Sequence, residues 1–244
     1  SNADLVKHWG FLTIEIFLGI WIIVFAGLAI YIFGKLKFPH DSPIKKLSFF
    51  RISSGVLVSA FVIYLASGFR VNKDTQTFTP LTLLSGLAPP VGYSFIYPND
   101  CPNNFECFKD LKEGVAYAQK VNKPILLDFT GYACVNCRKM EERVWANSEI
   151  LGILNKEIVL ISLYVDDKRL LPDNEQYTSK TTGKRITSIG NKWSDFQIKE
   201  YQANAQPYYV LMDLQEQNLN TPIGYTPDVE KYKNWLNEGL DNFK

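Results

Sequence analysis

The sequence predicts an α/β domain, a central mixed sheet flanked by helices, carried behind a hairpin of two membrane-length helices. Three observations carry that reading. Two apolar runs, residues 11–33 and 52–69, fill most of the first seventy positions. Beyond residue 100, apolar runs of strand length alternate with stretches whose apolar residues recur at helical spacing. One of those strands, in residues 124–129, ends in a short turn that leads into a helix opening at a Cys134-x-x-Cys137 pair.

The first run is apolar apart from Thr13 and Glu15. At ~1.5 Å per residue it reaches ~34 Å, enough to cross a bilayer core. Trp9 and Tyr31 fall near its two ends, where aromatic residues mark membrane interfaces. Glu15, close to one end, reads as an interfacial or helix-packing residue. The second run reaches ~27 Å and is interrupted by Ser53, Ser54, Ser59 and Ser67, small hydroxyl residues suited to packing on another membrane helix. A buried helix of a soluble domain competes with that reading. Lys35, Lys37, Lys45, Lys46 and Arg51 lie between the runs, and the positive-inside rule places this loop in the cytoplasm. Everything after Arg70 is then expected outside the cytoplasmic membrane, with the lipid bilayer itself as one partner. His40 reads as a solvated loop residue.

The chain divides into residues 1–3, resembling a tag remnant; 4–70, the hairpin; 71–99, a connector; and 100–244, the α/β domain. Asp4 then looks like an arbitrary cut, with further membrane spans expected upstream. The 244 residues carry a net charge of +1, which points to neither nucleic acid nor an acidic partner. In the connector, residues 81–87 are apolar enough either to rest on a membrane surface or to form a short packed helix.

Within the domain, Phe108, Leu111, Val115 and Ala118 form a helical stripe. Pro124 starts the central strand, whose Ile125, Leu126, Leu127 and Phe129 suit a strand covered on both faces. After the Cys helix come helical residues 147–154 and a buried strand over 158–165. The polar run 166–190 is too long for an ordinary connection and is expected as an insertion over the active face. A helix over 193–201 and a strand opening on Pro207 follow. Tyr225 is expected in a last short strand paired with its predecessor. The final helix is read with Thr226 as N-cap, Pro227 at N1 and a buried face of Val229, Tyr232, Trp235, Leu236 and Leu240.

The chemistry concentrates at the cysteine pair. A cysteine at a helix start faces unpaired N–H groups and the positive end of the helix dipole, which favour its thiolate; Arg138 and Lys139 add positive charge nearby. Cys134 is therefore expected to attack and Cys137, one turn further in, to resolve. Asp128 is a lone acid among apolar strand residues, where burial should raise its pKa and suit it to exchange a proton with Cys137. Glu141 lies four residues after Cys137 on the same helix face and is read either as a second tuning carboxylate or as a solvated residue. A cis peptide bond before Pro207 would free backbone groups to pair with an extended substrate, so Gln206 and Pro207, with Tyr132 beside the pair, are the expected substrate contacts. A structural zinc site would want a second Cys-x-x-Cys or a histidine pair, and haem attachment a histidine after Cys137; the sequence has neither, so no metal is expected. Cys101 and Cys107 are expected as a structural disulfide, with a second redox pair, metal binding or free thiols as the other readings.

The order of elements, the acid six residues before Cys134 and the proline opening a later strand together resemble the thioredoxin fold over residues 100–244. The run Asp128-Phe-Thr-Gly-Tyr-Ala-Cys134-Val-Asn-Cys137-Arg-Lys-Met-Glu141 resembles the C-terminal part of DsbD-type transmembrane thiol:disulfide interchange proteins, in the form found in Bacteroidetes-like bacteria. That resemblance implies a bacterial inner-membrane protein with its C-terminal domain in the periplasm. It implies a protein-disulfide reductase taking electrons from an upstream membrane domain of the same protein, and recipients that are periplasmic thioredoxin-fold or cytochrome c maturation proteins. It also implies no cofactor beyond the Cys134–Cys137 disulfide. The gap between Cys137 and Pro207 is longer than in plain thioredoxin, and Cys101 and Cys107 are extra. A thiol oxidase of the same fold and a membrane-anchored binding module with structural disulfides only are the competing classes.

Overall fold

A computed structural model describes residues 2–41, 46–73 and 75–243. The chain opens with a short helix, α1 (Asn2–Lys7), followed by α2 (Ile14–Ile32) and α3 (Phe49–Ser67), packed against each other as a hairpin. Helix α2 starts three residues later than its apolar run. Buried Asp4 accepts the N–H groups of Phe11 (3.3 Å) and Leu12 (2.8 Å), which holds them outside the helix. Ser48 caps α3, which therefore begins ahead of residue 52. Arg51 turns back and donates to the carbonyls of Tyr31 and Ile32, satisfying the orphan acceptors at the end of α2. Both helices are long and apolar enough to cross a membrane, and both present apolar side chains outward, among them Ile23 and Leu57. Of the basic residues between them, Lys45 lies outside the described residues.

The connector folds onto this hairpin. Strands β1 (Val71–Asn72) and β2 (Thr77–Phe78) form a small antiparallel ribbon. A 3₁₀ turn follows at Thr82–Leu84, a short packed turn within the apolar segment 81–87. Phe78, Leu81, Leu84 and Ala88 are buried against Phe17, Leu18 and Leu65, while Leu83 and Leu87 remain exposed.

The α/β domain is built on strands β3 (Cys107–Phe108), β4 (Ile125–Thr130), β5 (Val159–Tyr164) and β8 (Tyr208–Met212), in the order β3-β5-β4-β8. Strand β4 pairs parallel with β5 and antiparallel with β8, giving the expected mixed sheet. All six β4 residues are buried because helices cover both faces. Leu127, Phe129 and Ile161 pack toward α4 (Leu111–Val121) and α7 (Ile189–Tyr201). Leu126, Leu160 and Tyr209 face the other way, toward α5 (Val135–Met140), the π-helical turn Glu141–Trp145, α6 (Ser148–Lys156) and α8 (Val229–Phe243). Period-two alternation thus puts Asp128 on the same side as Leu126, beneath the Cys helix. In that layer Trp145 is fully buried and donates its Nε1–H to Tyr232 (3.0 Å).

Four expectations differ from the structure. Phe108, read as part of a helical stripe, lies in β3, because Asp110 caps α4 and starts it only at Leu111. Tyr225 belongs to no strand: only Ile223 exchanges backbone hydrogen bonds with Tyr209, and the flanking Pro222 has no N–H with which to extend the ladder. Thr226 does not cap α8. Asp228 does, accepting from Lys231 N (3.0 Å), while the Thr226 hydroxyl turns back to Gly224. The 166–190 segment does not lie wholly over the active face. Its first residues reach the turn before Cys134, but the hairpin of β6 (Tyr177–Thr178) and β7 (Arg185–Ile186) is tied to α7 through Tyr177 donating to Asp195.

Candidate active site

Cys134 is the N-cap of α5, in extended backbone, and its Sγ accepts the N–H of Cys137 (3.1 Å). Two turns of sequence logic meet here. Gly131 ends β4, and the chain then reverses over three residues before α5 begins. The reversal is pinned from β5's end by Asp166, whose two carboxylate oxygens accept from Tyr132 N and Ala133 N, both at 2.9 Å. A Cβ at Gly131 would stand 3.0 Å from the same carboxylate, so any side chain there would have to push Asp166 back by a few tenths of an ångström. Sequence reasoning missed Asp166. Its signal was an acid one residue past the second buried strand, opposite a Gly-x-Ala-Cys turn whose N–H groups need acceptors.

The two sulfurs are joined, S–S 2.04 Å with Cα atoms 5.3 Å apart. Cys134 is half-buried and Cys137 is 2% exposed. The bond is therefore open to attack at one sulfur only. Asp128 lies in the strand below, 2% exposed, accepting one hydrogen bond from Ser162 Oγ (3.3 Å), its partner in the parallel register. Its other oxygen, Oδ1, has no hydrogen-bond partner. Burial, and then the charge of Glu141, push its carboxyl well above the usual range. Glu141 begins the π-helical turn and is half-buried, on the wall of a cavity. Burial pushes its pKa up to about 7, against the opposing pull of the Arg138 guanidinium. A π-turn in the helix that carries a reactive pair is a familiar placement for such irregularities.

Arg138 commits its guanidinium to partners outside the Cys helix. It is 4% exposed and donates to Ala88 O in the connector and to Asn2 Oδ1. Tyr132 stacks on Tyr164 with ring centroids 4.0 Å apart and meets the His8 ring edge-on. The Gln206–Pro207 bond is cis. Pro207 is buried at the start of β8, next to the Tyr208–Phe129 pair, so it sits at the end of the sheet from which the Cys turn emerges. Cys101 and Cys107 are also bonded to each other, with Cα atoms 5.9 Å apart. Cys101, Glu141 and Tyr132 share the wall of a cavity of about 630 Å³ between the connector and the domain. The structure thus gathers Cys134, Cys137, Asp128 and Glu141 in one place, with Cys101 and Cys107 packed on the same face of the sheet and Asn103 between them donating to Glu141 O (2.8 Å).

The thioredoxin-like domain family, Thioredoxin_2, matches residues 111–240. No curated protein sequence matches the chain. Among solved structures, a DsbH oxidoreductase is similar at 18% identity and a TM-score of 0.39, over 56% of this chain and 85% of that one. A thioredoxin from Thermus thermophilus is similar at 14% and 0.38, over 55% and 85%. The germline-specific thioredoxin Deadhead of Drosophila melanogaster is similar at 16% and 0.33, over 55% and 98%. The family match spans more than half of the chain, from the helix before the central strand to the last helix, and the chain therefore belongs to the thioredoxin-like domain family.

Proposed function

We propose that this chain is the C-terminal part of a DsbD-type, membrane-anchored thiol:disulfide oxidoreductase. In this reading it passes electrons from an upstream membrane domain to periplasmic disulfide proteins in disulfide isomerisation or cytochrome c maturation. The observation that carries the reading is the asymmetry of the Cys134–Cys137 bond, one sulfur half-buried at a helix start and the other buried on the face of the sheet that bears Asp128.

In the reduced domain, the Cys134 thiolate attacks one sulfur of a partner disulfide. That bond breaks, a mixed disulfide forms, and the partner's second sulfur leaves as a thiolate. Asp128, ionised at the moment of need, takes the proton from Cys137. The Cys137 thiolate then attacks Cys134 Sγ, re-forms the bond and releases the partner's first sulfur as a thiolate. Two electrons have moved to the partner, and a dithiol on the membrane side must restore them. Tyr132, Gln206 and Pro207 are the groups assigned to hold the partner's chain. Lys35, Lys37, Lys46 and Arg51 at the turn of the hairpin favour a cytoplasmic turn and hence a periplasmic domain.

Cys137→Ser is the direct test. Expressed with the native membrane, it should accumulate a mixed disulfide through Cys134, with the partner identified by mass spectrometry. A variant that forms no adduct, under conditions that trap other proteins of this fold, would overturn the reading.

A further inference from the structure

Residues 85–88 of the connector run along one face of the Cys helix. Val135, Arg138 and Glu142, spaced i, i+3 and i+7, share that face, and each holds one point of the segment. Ser85 Oγ donates to Glu142 Oε2. Gly86 lies so close to Val135 that a Cβ there would come within 2.6 Å of its Cγ2. The buried Arg138 guanidinium donates to Ala88 O. Gly86 also has φ +90°, a conformation that side chains rarely adopt. On its other side the same segment is fastened to the hairpin, since Leu84 and Ala88 are buried with Phe17, Leu18 and Leu65.

Val135 follows Cys134 directly, so this segment forms one rim of the approach to Cys134, the more exposed sulfur of its pair. We propose that residues 85–88 are a clasp that gates protein partners: clasped, the rim beside Cys134 is occupied and the domain is held to its hairpin; released, a protein-sized partner reaches the disulfide. A small thiol needs no such surface and is admitted in either state. The inference rests on the oxidoreductase reading above. The exchange itself is unchanged by the clasp: an incoming thiolate bonds to Cys134 Sγ, the Cys134–Cys137 bond breaks, and Cys137 leaves as a thiolate.

The test compares two reductants on the full chain in detergent, dithiothreitol and a reduced thioredoxin, for wild type, Gly86→Ala and Ser85→Ala. Gly86→Ala pushes the segment off Val135 without altering any residue of the domain. Ser85→Ala removes one hydroxyl and serves as the milder variant should the first disturb folding, which thermal melting checks. The thioredoxin rate should rise about tenfold in Gly86→Ala and roughly threefold in Ser85→Ala, as expected for losing one or two contacts of a closed state. The dithiothreitol rate should stay within about twofold of wild type. Equal changes with both reductants, or an unchanged thioredoxin rate in both variants, would sink the clasp while leaving the oxidoreductase reading standing. If neither reductant acts on wild type, both fall.

Discussion

The two disulfides of this chain close loops of different size in different surroundings. Cys101 and Cys107, six residues apart, are both half-buried, one before a 3₁₀ turn and one on the short edge strand β3. Cys134 and Cys137, three apart, divide the exposure between them, and an acid without a full set of partners lies on the sheet face below. A staple needs only that its ends be close. A bond that is to open and close needs a sulfur that can be reached, a second that cannot, and a group to carry the proton. The difference between the two settings lies in Asp128, in the buried position of Cys137 and in the helix start at Cys134, not in the bonds themselves.

That contrast can be broken at several points. Asp128→Asn should slow release of the mixed disulfide by roughly hundredfold, as expected for losing a positioned base, while Cys134 still reacts with a first partner; single-turnover kinetics would show the two steps. An unchanged release rate would remove Asp128 from the chemistry. Cys101→Ser with Cys107→Ser should leave turnover within twofold but lower stability by roughly 2 kcal/mol, the loop-closure entropy of so small a ring. A lost turnover with unchanged melting would make this pair a redox one after all.

The third point is acidity. The Glu141 carboxyl holds its proton up to about 7 in the folded domain, against 4.5 as its ordinary value. Folding therefore favours the protonated form, and the wild type should lose stability relative to Glu141→Gln as pH rises from 4.5 to about 7. Below and above that window the two curves should run parallel; urea melts across pH 4–8 would test it, and parallel curves throughout would place the side chain in water. The smallest effect is at α8, where Asp228→Ala should cost about 1 kcal/mol and Thr226→Ala far less, read from the same melts.

Much of this was legible in the sequence because it depends on local pattern. The apolar run through Leu126 and Phe129 read as a covered strand, and the lone acid within it as a buried one, and both are buried. The cysteine pair at the turn into a helix fixed its own polarity. What the sequence hid were contacts made across long separations. Arg138 read only as a charge near the pair, and nothing local showed that its guanidinium also serves a carbonyl fifty residues away. Asp166 sat in a polar run that looked like insertion, although it holds the turn on which Cys134 stands. The end of the domain misled for a different reason. Pro222 and Pro227 break a strand and shift a helix start, and local preference alone does not say which of Thr226 and Asp228 the chain will use as the cap.

The grip of Glu15 on the connector has a mechanical consequence. Its carboxylate accepts from Ser94, Phe95 N (3.0 Å) and Ile96 N (3.2 Å), so the chain is moored to the start of α2 as far as residue 96. Tyr97 then packs edge-on against Phe78 (5.1 Å) and Asn99 N donates to Gly92 O (2.9 Å), so any swing of a domain released from its clasp is measured from Asn99. With Cys101 bonded to Cys107, the leash is two residues, ~7 Å at full stretch, plus the 5.9 Å across the bridge. Without that bridge it is the eight residue steps from Asn99 to Cys107, ~28 Å. The second disulfide thus sets the radius over which the first can travel.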